Sequence, residues 1–567
     1  MTPLKPILRA LTLVGGIAGI LAVGWSAEYA PRWQPLRQSL QQSTLPFGML
    51  AYGAKGKILR QLQSIQVLPN DELSTNPSNR RFDTTRAIVN KKTRSGIQVY
   101  GLDSTTPEEL PSSSVMSQAM RNSSPAVLSL AIAQSDLSDP DVGLLTNSDA
   151  KGRNWERPAF LSYFEQSKLL FASGVGIRIH GGVARDAPKK SFRVYFRNIY
   201  GATQFAPRML FDHQSDPVLL FVLRSEFETA GVFANSLAYD ISRQIGAFAP
   251  YTQPVKLFIN GEEQGVYILI EHINEGYLRA HFGHAQFLMA QSAVWAKPDS
   301  GSSQQYQQFV AWATDRSPLS MSEAAQKINL DNFVRWLISV IFCATPDALQ
   351  GPILLDLTQP DAKWFWVNWD MDHSFAVTNL NAAEHAWEED IFDRFYVRED
   401  PRAYLYHRLR LGSAEFRTYF SRVFVEVMNH RLTDAFLRER QRHYAELAEA
   451  FGYDAREFNE DVANFLTHRK AVLREQMNTY FATGKSFPCL VQSPAGARVE
   501  IDGYPEQSGY LGWYFEQTPI TLSPMETDDH TFSYWLINGK ETHHERILRY
   551  AITAPTVITA VFQEKPE

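Results

Sequence analysis

The chain has 567 residues, too many for one hydrophobic core, so two or three domains are expected. Hydrophobic residues make up 44% and aromatic residues 12%, which excludes a mainly disordered chain. A formal net charge of -6 and a pI near 6.2 leave no concentrated basic footprint, which argues against a nucleic-acid partner.

Lys5 and Arg9 precede an apolar run from about Ala10 to Trp25. At about sixteen residues it is short of the roughly 20 that span a bilayer comfortably. Two readings fit residues 1–28, a cleaved signal peptide and an uncleaved signal anchor, and the poor small-x-small site at Gly24–Glu28 favours the anchor. The flanking positive charges predict a single-pass cell-membrane protein with the bulk of the chain extracytoplasmic. Residues 29–124 form a juxtamembrane segment that becomes rich in Ser, Thr, Asn and Pro from about Pro69, as in "STTPEELPSSS", and read as a linker.

From Val127 the texture changes to short strand-like runs, "AVLSLAI", "KLLFASGVGIRIH" and "SFRVYFR". A helix follows over Phe233–Ile245, with Leu237 and Ile241 on one face. "PVKLFING" and "GVYILIEHI" flank Asn260-Gly261 and predict a hairpin. After about residue 320 helices dominate, including an apolar one at Phe333–Phe342, and the stripes Phe416, Phe420, Val423, Val427 and Phe458, Val462, Phe465 read as core packing. From about residue 486 the chain turns β again, and 486–567 reads as a small all-β sandwich without a catalytic cluster. The two cysteines, Cys343 and Cys489, fall in different regions, so neither a disulfide framework nor a Cys-based zinc site is expected.

A strand-rich half followed by a helical half is the order of a nucleotide-using phosphotransferase. Such an enzyme needs a cation on the phosphates, carboxylates for Mg²⁺ and a carboxylate near the acceptor hydroxyl. In "GIRIHGGVARDAPKKSFRVYFR" the pair Gly181-Gly182 lets backbone approach a ligand, and Lys189 and Lys190 open the next strand; a plain hairpin turn is the alternative. In "VNWDMDHSF" the carboxylates of Asp370 and Asp372 follow a bulky apolar run, an arrangement suited to a metal ion but also found in solvated turns.

Three segments together resemble the CotH family, the spore coat protein H-like atypical protein kinases of bacteria. They are "GIRIHGGVARDAPKKSFRVYF", through Arg178, Gly181, Lys189, Lys190 and Ser191; "LFINGEEQGVYILIEHI", through Asn260, Gly261, Gly265, Tyr267 and Glu271; and "VNWDMDHSF", through Trp369, Asp370 and Asp372. The likeness runs from about Val127 to Phe481.

The resemblance implies an α+β, two-lobed kinase-like domain over 125–485, with a β-rich N-lobe, a helical C-lobe and ATP between them. It implies that Lys190 or Lys189 holds the phosphates and that Glu271 lies near the adenine. It assigns Mg²⁺ to Asp370 and Asp372. Asp347, 23 residues before Asp370, would be the catalytic Asp beside the acceptor hydroxyl. The family usually places an Asn after that Asp; this chain has Gln350-Gly351-Pro352, so Gln350 would have to serve as the further metal ligand. The implied activity is transfer of phosphate from ATP to Ser or Thr hydroxyls of surface proteins. A catalytically weak surface or scaffold protein that binds a protein or polysaccharide is the alternative.

Overall fold

The structure is a computed structural model. It describes two short strands at 92–93 and 96–97, and residues 126–564 apart from 205–217, 227–232, 291–302, 347–348, 377–384, 396–399, 527–529 and a few single positions. Mixed helix and strand make it α+β.

Seven strands close into a barrel. They are β1 (Ala126–Ala131), β2 (Arg157–Glu165), β3 (Lys168–His180), β4 (Ser191–Tyr195), β5 (Leu220–Arg224), β6 (Thr252–Ile259) and β7 (Glu262–Glu271), in the spatial order β1-β2-β3-β4-β5-β7-β6. All neighbours are antiparallel except the closing pair, β1 with β6, which is parallel. Alternation along each strand puts Leu128, Leu161, Ile177, Ile179, Val194 and Leu223 in the sealed interior. The hairpin is as expected: Ile259 pairs with Glu262, and Asn260 and Gly261 both take positive φ (51° and 84°), the backbone of a type I′ turn.

Helix α1 (Ala234–Ile245) buries Leu237 and Ile241 beside Ile268 and Ile270, which face outward from β7. The barrel thereby joins a helical body. Its centre is α2 (Leu330–Phe342), almost wholly buried and opened by the Asn329 side chain, which accepts from the Asn332 N–H. A small sheet of β8 (Phe287–Ala290), β9 (Ile353–Asp356) and β10 (Phe365–Trp366) lies alongside. Further on, α3 (Ala414–Glu426) buries Phe416, Phe420 and Val423 and runs into a π-helical turn, Val427–Arg431. The long α4 (Arg456–Phe481) ends the helical part.

Beyond Lys485 two antiparallel-rich sheets of five and four strands follow, with Trp535 and Tyr514 buried. Cys343 and Cys489 are both free and buried.

The expected membrane localisation is corrected here. Among the described residues no helix is long and apolar enough to cross a membrane. The 26-residue α4 has the length, but it carries many charged residues, Asp461, Arg469, Lys470 and Arg474 among them. The run at 10–25 that carried the expectation lies outside the described residues.

Candidate functional site

A pocket of about 630 Å³ opens where the outer faces of β3, β4 and β5 meet the segment after β10. The pleat explains its wall. With Ile177, Ile179, Phe192 and Val194 pointing into the barrel, Arg178, His180, Arg193 and Tyr195 must point out. Arg178 and Arg193 are directly opposite each other in the ladder. Arg224, the last residue of β5, completes the row.

The β3–β4 connection forms the rim. Gly181 and Gly182 both line the pocket, and no atom approaches a Cβ built on Gly182 within 4 Å, so the loop offers bare backbone. Arg185 holds the loop: its guanidinium donates to the carbonyls of Gly181, Ser148, Ala150 and Ile179.

The floor is built in steps along the chain. The Asn332 side chain donates to the Trp366 carbonyl and accepts from the Trp366 N–H. Asn368 donates through its N–H to the Phe248 carbonyl and through its side chain to Ser339. The N–H of Asp370 then donates to the Tyr239 hydroxyl, and that of Met371 to the Asn235 side chain. Asp370 lies in the left-handed region at φ 60°, a conformation Asp tolerates better than most residues and one that the surrounding hydrogen bonds impose. The result points both carboxylates, Asp370 and Asp372, into the pocket.

Arg224 meets them there. One terminal nitrogen donates to Asp370 and the other to Asp372, and its Nε lies 3.8 Å from Glu226. Burial works against the Arg224 charge, but Asp372 and Asp370 outweigh it and hold the guanidinium well above its ordinary value. Burial likewise pushes the Asp372 carboxyl up, opposed by Arg224, and pushes Glu226 up to about 7. Asp372 Oδ1 is buried with no hydrogen-bond partner among the described residues. An unsatisfied carboxylate oxygen beside a second carboxylate is a fit for a divalent cation, which commonly takes one or two carboxylates and draws its other ligands from phosphates and water. Among the described residues no cluster of three or more His, Cys, Asp or Glu forms a complete metal cage.

Two expected cations lie elsewhere. Lys189 Nζ donates to the carbonyls of Val266 (2.6 Å) and Ser225 (3.2 Å) and sits 4.4 Å from the centre of the Tyr267 ring. Lys190 Nζ donates to the Arg185 carbonyl at 2.5 Å. Neither lines the pocket. Glu271 does not line it either: its buried carboxylate accepts from the Tyr251 N–H and faces His281 at 3.2 Å. Gln350 does line it, and its carbonyl accepts from Arg402. The following Gly351 has φ 91°, and a Cβ there would collide with the Val367 carbonyl, so Gly351 brings this loop against the floor strand. Asp347 lies outside the described residues.

Residues 177–478, more than half of the chain, match the family model described as "CotH kinase protein". The chain belongs to the CotH family. The matched span holds most of the pocket wall, from Arg178 to His373, whereas Ala150, Lys151 and Gly152 precede it. Inner spore coat protein H of Bacillus subtilis (strain 168) is 19% identical over 299 residues, covering 46% of this chain and 73% of that protein. The HipA, HipB and operator DNA complex of Shewanella oneidensis MR-1 is similar at 13% identity, over 52% of this chain and 62% of that one, with a TM-score of 0.22. A likeness of that size carries no argument.

Within this CotH site, sequence reading missed Arg193 and Arg224. A signal was present: "SFRVYF" and "FVLRSE" each place one arginine on an alternating apolar strand, as "GIRIH" does with Arg178.

Proposed function

We propose that the pocket is a phosphotransferase site which takes ATP and passes its γ-phosphoryl group to a Ser or Thr hydroxyl of a protein. The observation that carries this reading is the convergence of Asp370 and Asp372, the bare backbone of Gly181-Gly182 and a row of arginines on one pocket. Its volume is within the range of small-ligand sites. In this reading the barrel and the helical body are the two lobes of a kinase-like domain over 125–485, and 486–567 is an appended β-sandwich.

Asp370 and Asp372 would hold Mg²⁺, with Gln350, which lines the same pocket, as a further ligand. Bound Mg²⁺ neutralises charge on the phosphates during transfer. Around it the chain's own residues divide the work. The Gly181-Gly182 backbone approaches the phosphate chain, Arg224 orients both carboxylates, and Asp347 orients the acceptor hydroxyl and accepts its proton.

Two observations favour a second reading, a CotH protein that binds a partner without efficient transfer. Arg224 already offsets part of the charge of the carboxylate pair, and both lysines are engaged with backbone carbonyls away from the pocket. Titration with ATP, with and without Mg²⁺, followed by an autophosphorylation assay, separates the two. Mg²⁺-dependent binding with transfer supports the kinase reading, binding without transfer supports the second, and no binding under any metal condition refutes the first.

A further inference from the structure

We infer that the cross-strand pair Arg178 and Arg193, and not Lys189 or Lys190, is the phosphate cradle of this pocket, and that it takes the phosphate chain of a nucleoside polyphosphate. The identity of that ligand as a nucleotide rests on the phosphotransferase reading; the anion site itself rests on charge and geometry.

Like charges directly opposite in an antiparallel ladder destabilise a sheet, yet Arg178 and Arg193 occupy such a position. The protein does little to compensate. Among the described residues no carboxylate pairs with Arg193, its Nε is buried without a hydrogen-bond partner, and one terminal nitrogen is 3.1 Å from His180 Nδ1. Arg178 Nε is 3.7 Å from Glu156, but that carboxylate also accepts two bonds from Arg197, at 2.8 and 3.2 Å. The Arg178 guanidinium is seated over the Tyr195 ring, 4.3 Å from its centre, and donates to the Tyr195 hydroxyl, which fixes its direction.

Two further pocket arginines are already engaged. Arg224 is bound by Asp370 and Asp372, and Arg185 by four carbonyls. Five cationic side chains, Lys151 among them, line the pocket against two carboxylates, so the wall carries an excess of positive charge. Planar guanidinium forks suit phosphate oxygens better than an ammonium does. The bare backbone of Gly182 lies on the same rim, which leaves room for a chain of several phosphates to approach.

The test is calorimetric titration of the full chain with ATP, ADP and inorganic tripolyphosphate, in EDTA and in Mg²⁺, for the wild type and for Arg193→Gln, Arg193→Lys and Lys189→Gln. Thermal midpoints of the ligand-free proteins are recorded alongside. Arg193→Gln is expected to weaken ATP and tripolyphosphate by roughly ten- to a hundredfold, the usual scale for a charged hydrogen bond. Its ligand-free midpoint should be no lower than the wild type's, because a repulsive pair has been relieved. Arg193→Lys should fall between the two in affinity and carries the test if the Gln variant does not fold. Lys189→Gln should lose stability and keep affinity. Unchanged binding in both Arg193 variants, or a loss confined to Lys189→Gln, overturns the inference. Arg193-dependent binding of tripolyphosphate with no binding of ATP keeps the cradle and refutes the nucleotide reading. ATP binding indifferent to Arg193 keeps the nucleotide reading and refutes the cradle. Failure of the wild type to bind any of the three refutes both.

Discussion

Arg224 and Asp372 form a buried ion pair although 148 residues separate them in the chain. The same guanidinium reaches Asp370, so one residue of the barrel holds the loop that follows β10. Removing one partner of such a pair strands the others without compensation. Arg224→Met should cost about 3–5 kcal/mol of unfolding free energy. A divalent cation should restore part of that loss, because it can replace the missing charge between the carboxylates. Chemical denaturation of wild type and variant, with Mg²⁺ and with EDTA, measures both. Equal loss in the two conditions would show that no cation enters between Asp370 and Asp372.

From sequence alone, replacing either aspartate by asparagine looks harmless to the fold, since two adjacent like charges are relieved. Arg224 reverses the expectation for Asp372, the more buried of the two, whose side chain is only 6% exposed. Asp372→Asn should lower the thermal midpoint clearly and Asp370→Asn much less. On the phosphotransferase reading proposed above, both should reduce phosphate transfer by on the order of 10²-fold or more. Asp347→Asn should abolish transfer while leaving Mg²⁺-dependent ATP affinity nearly intact. Parallel melting curves and radiolabel transfer assays on the three variants check the pattern.

Lys189 supplies a pH signature. Burial lowers its pKa to about 8 from the ordinary 10.5, partly opposed by Glu226. Between those two values the unfolded chain holds more protons than the folded one, so this residue makes stability rise as pH climbs from about 8 to about 10.5. Lys189→Met should remove that rise. Denaturation midpoints of wild type and variant at pH 8, 9 and 10 give the comparison; identical slopes would mean that the lysine keeps its ordinary pKa in the fold.

Local signals were legible in the sequence and distant ones were not. Asn260-Gly261 specifies its own turn, and Leu237 with Ile241 specify one helix face, because each needs only its neighbours. Asp370 and Asp372 stood out for the same reason, two carboxylates after a bulky run. Arg224 did not, since an arginine closing a strand looks like any solvated strand end until the loop 146 residues later is folded against it. The surroundings of Lys189 and Lys190 were not legible either. Two adjacent lysines before a strand suggest exposed charge, but Lys190 finds the carbonyl of Arg185 in its own connection and Lys189 finds that of Val266, 77 residues away in the folded barrel. The closure itself has no local sign, for β1 meets β6 across more than a hundred residues.

The helical body and the C-terminal sheets share more surface than a change of texture near residue 486 suggests. Asn429 of the π-helical turn exchanges hydrogen bonds with the Trp513 backbone in both directions. His430 is stacked between Tyr504 and Tyr510, at 4.5 and 5.2 Å, and Phe424 packs 6.0 Å from Phe515. A chain truncated after Lys485 should therefore lose several kcal/mol, at roughly 1.5–3 for each large apolar side chain uncovered. Its affinity for nucleotide should be unchanged, because no pocket residue comes from beyond Lys485. Calorimetric melting and ATP titration of the truncated and full chains test the two halves of this statement.

The parallel seam between β1 and β6 also decides how the protein meets other copies of itself. While it is closed, the barrel has no unpaired strand edge to offer. The seam is short, from Val127 opposite Lys256 to Leu130 opposite Ile259. If β1 peels away, β2 and β6 are left with open rows of N–H and C=O groups beside an apolar interior, which is the template that recruits foreign strands. An opened seam would therefore expose strand edges to other copies of the chain.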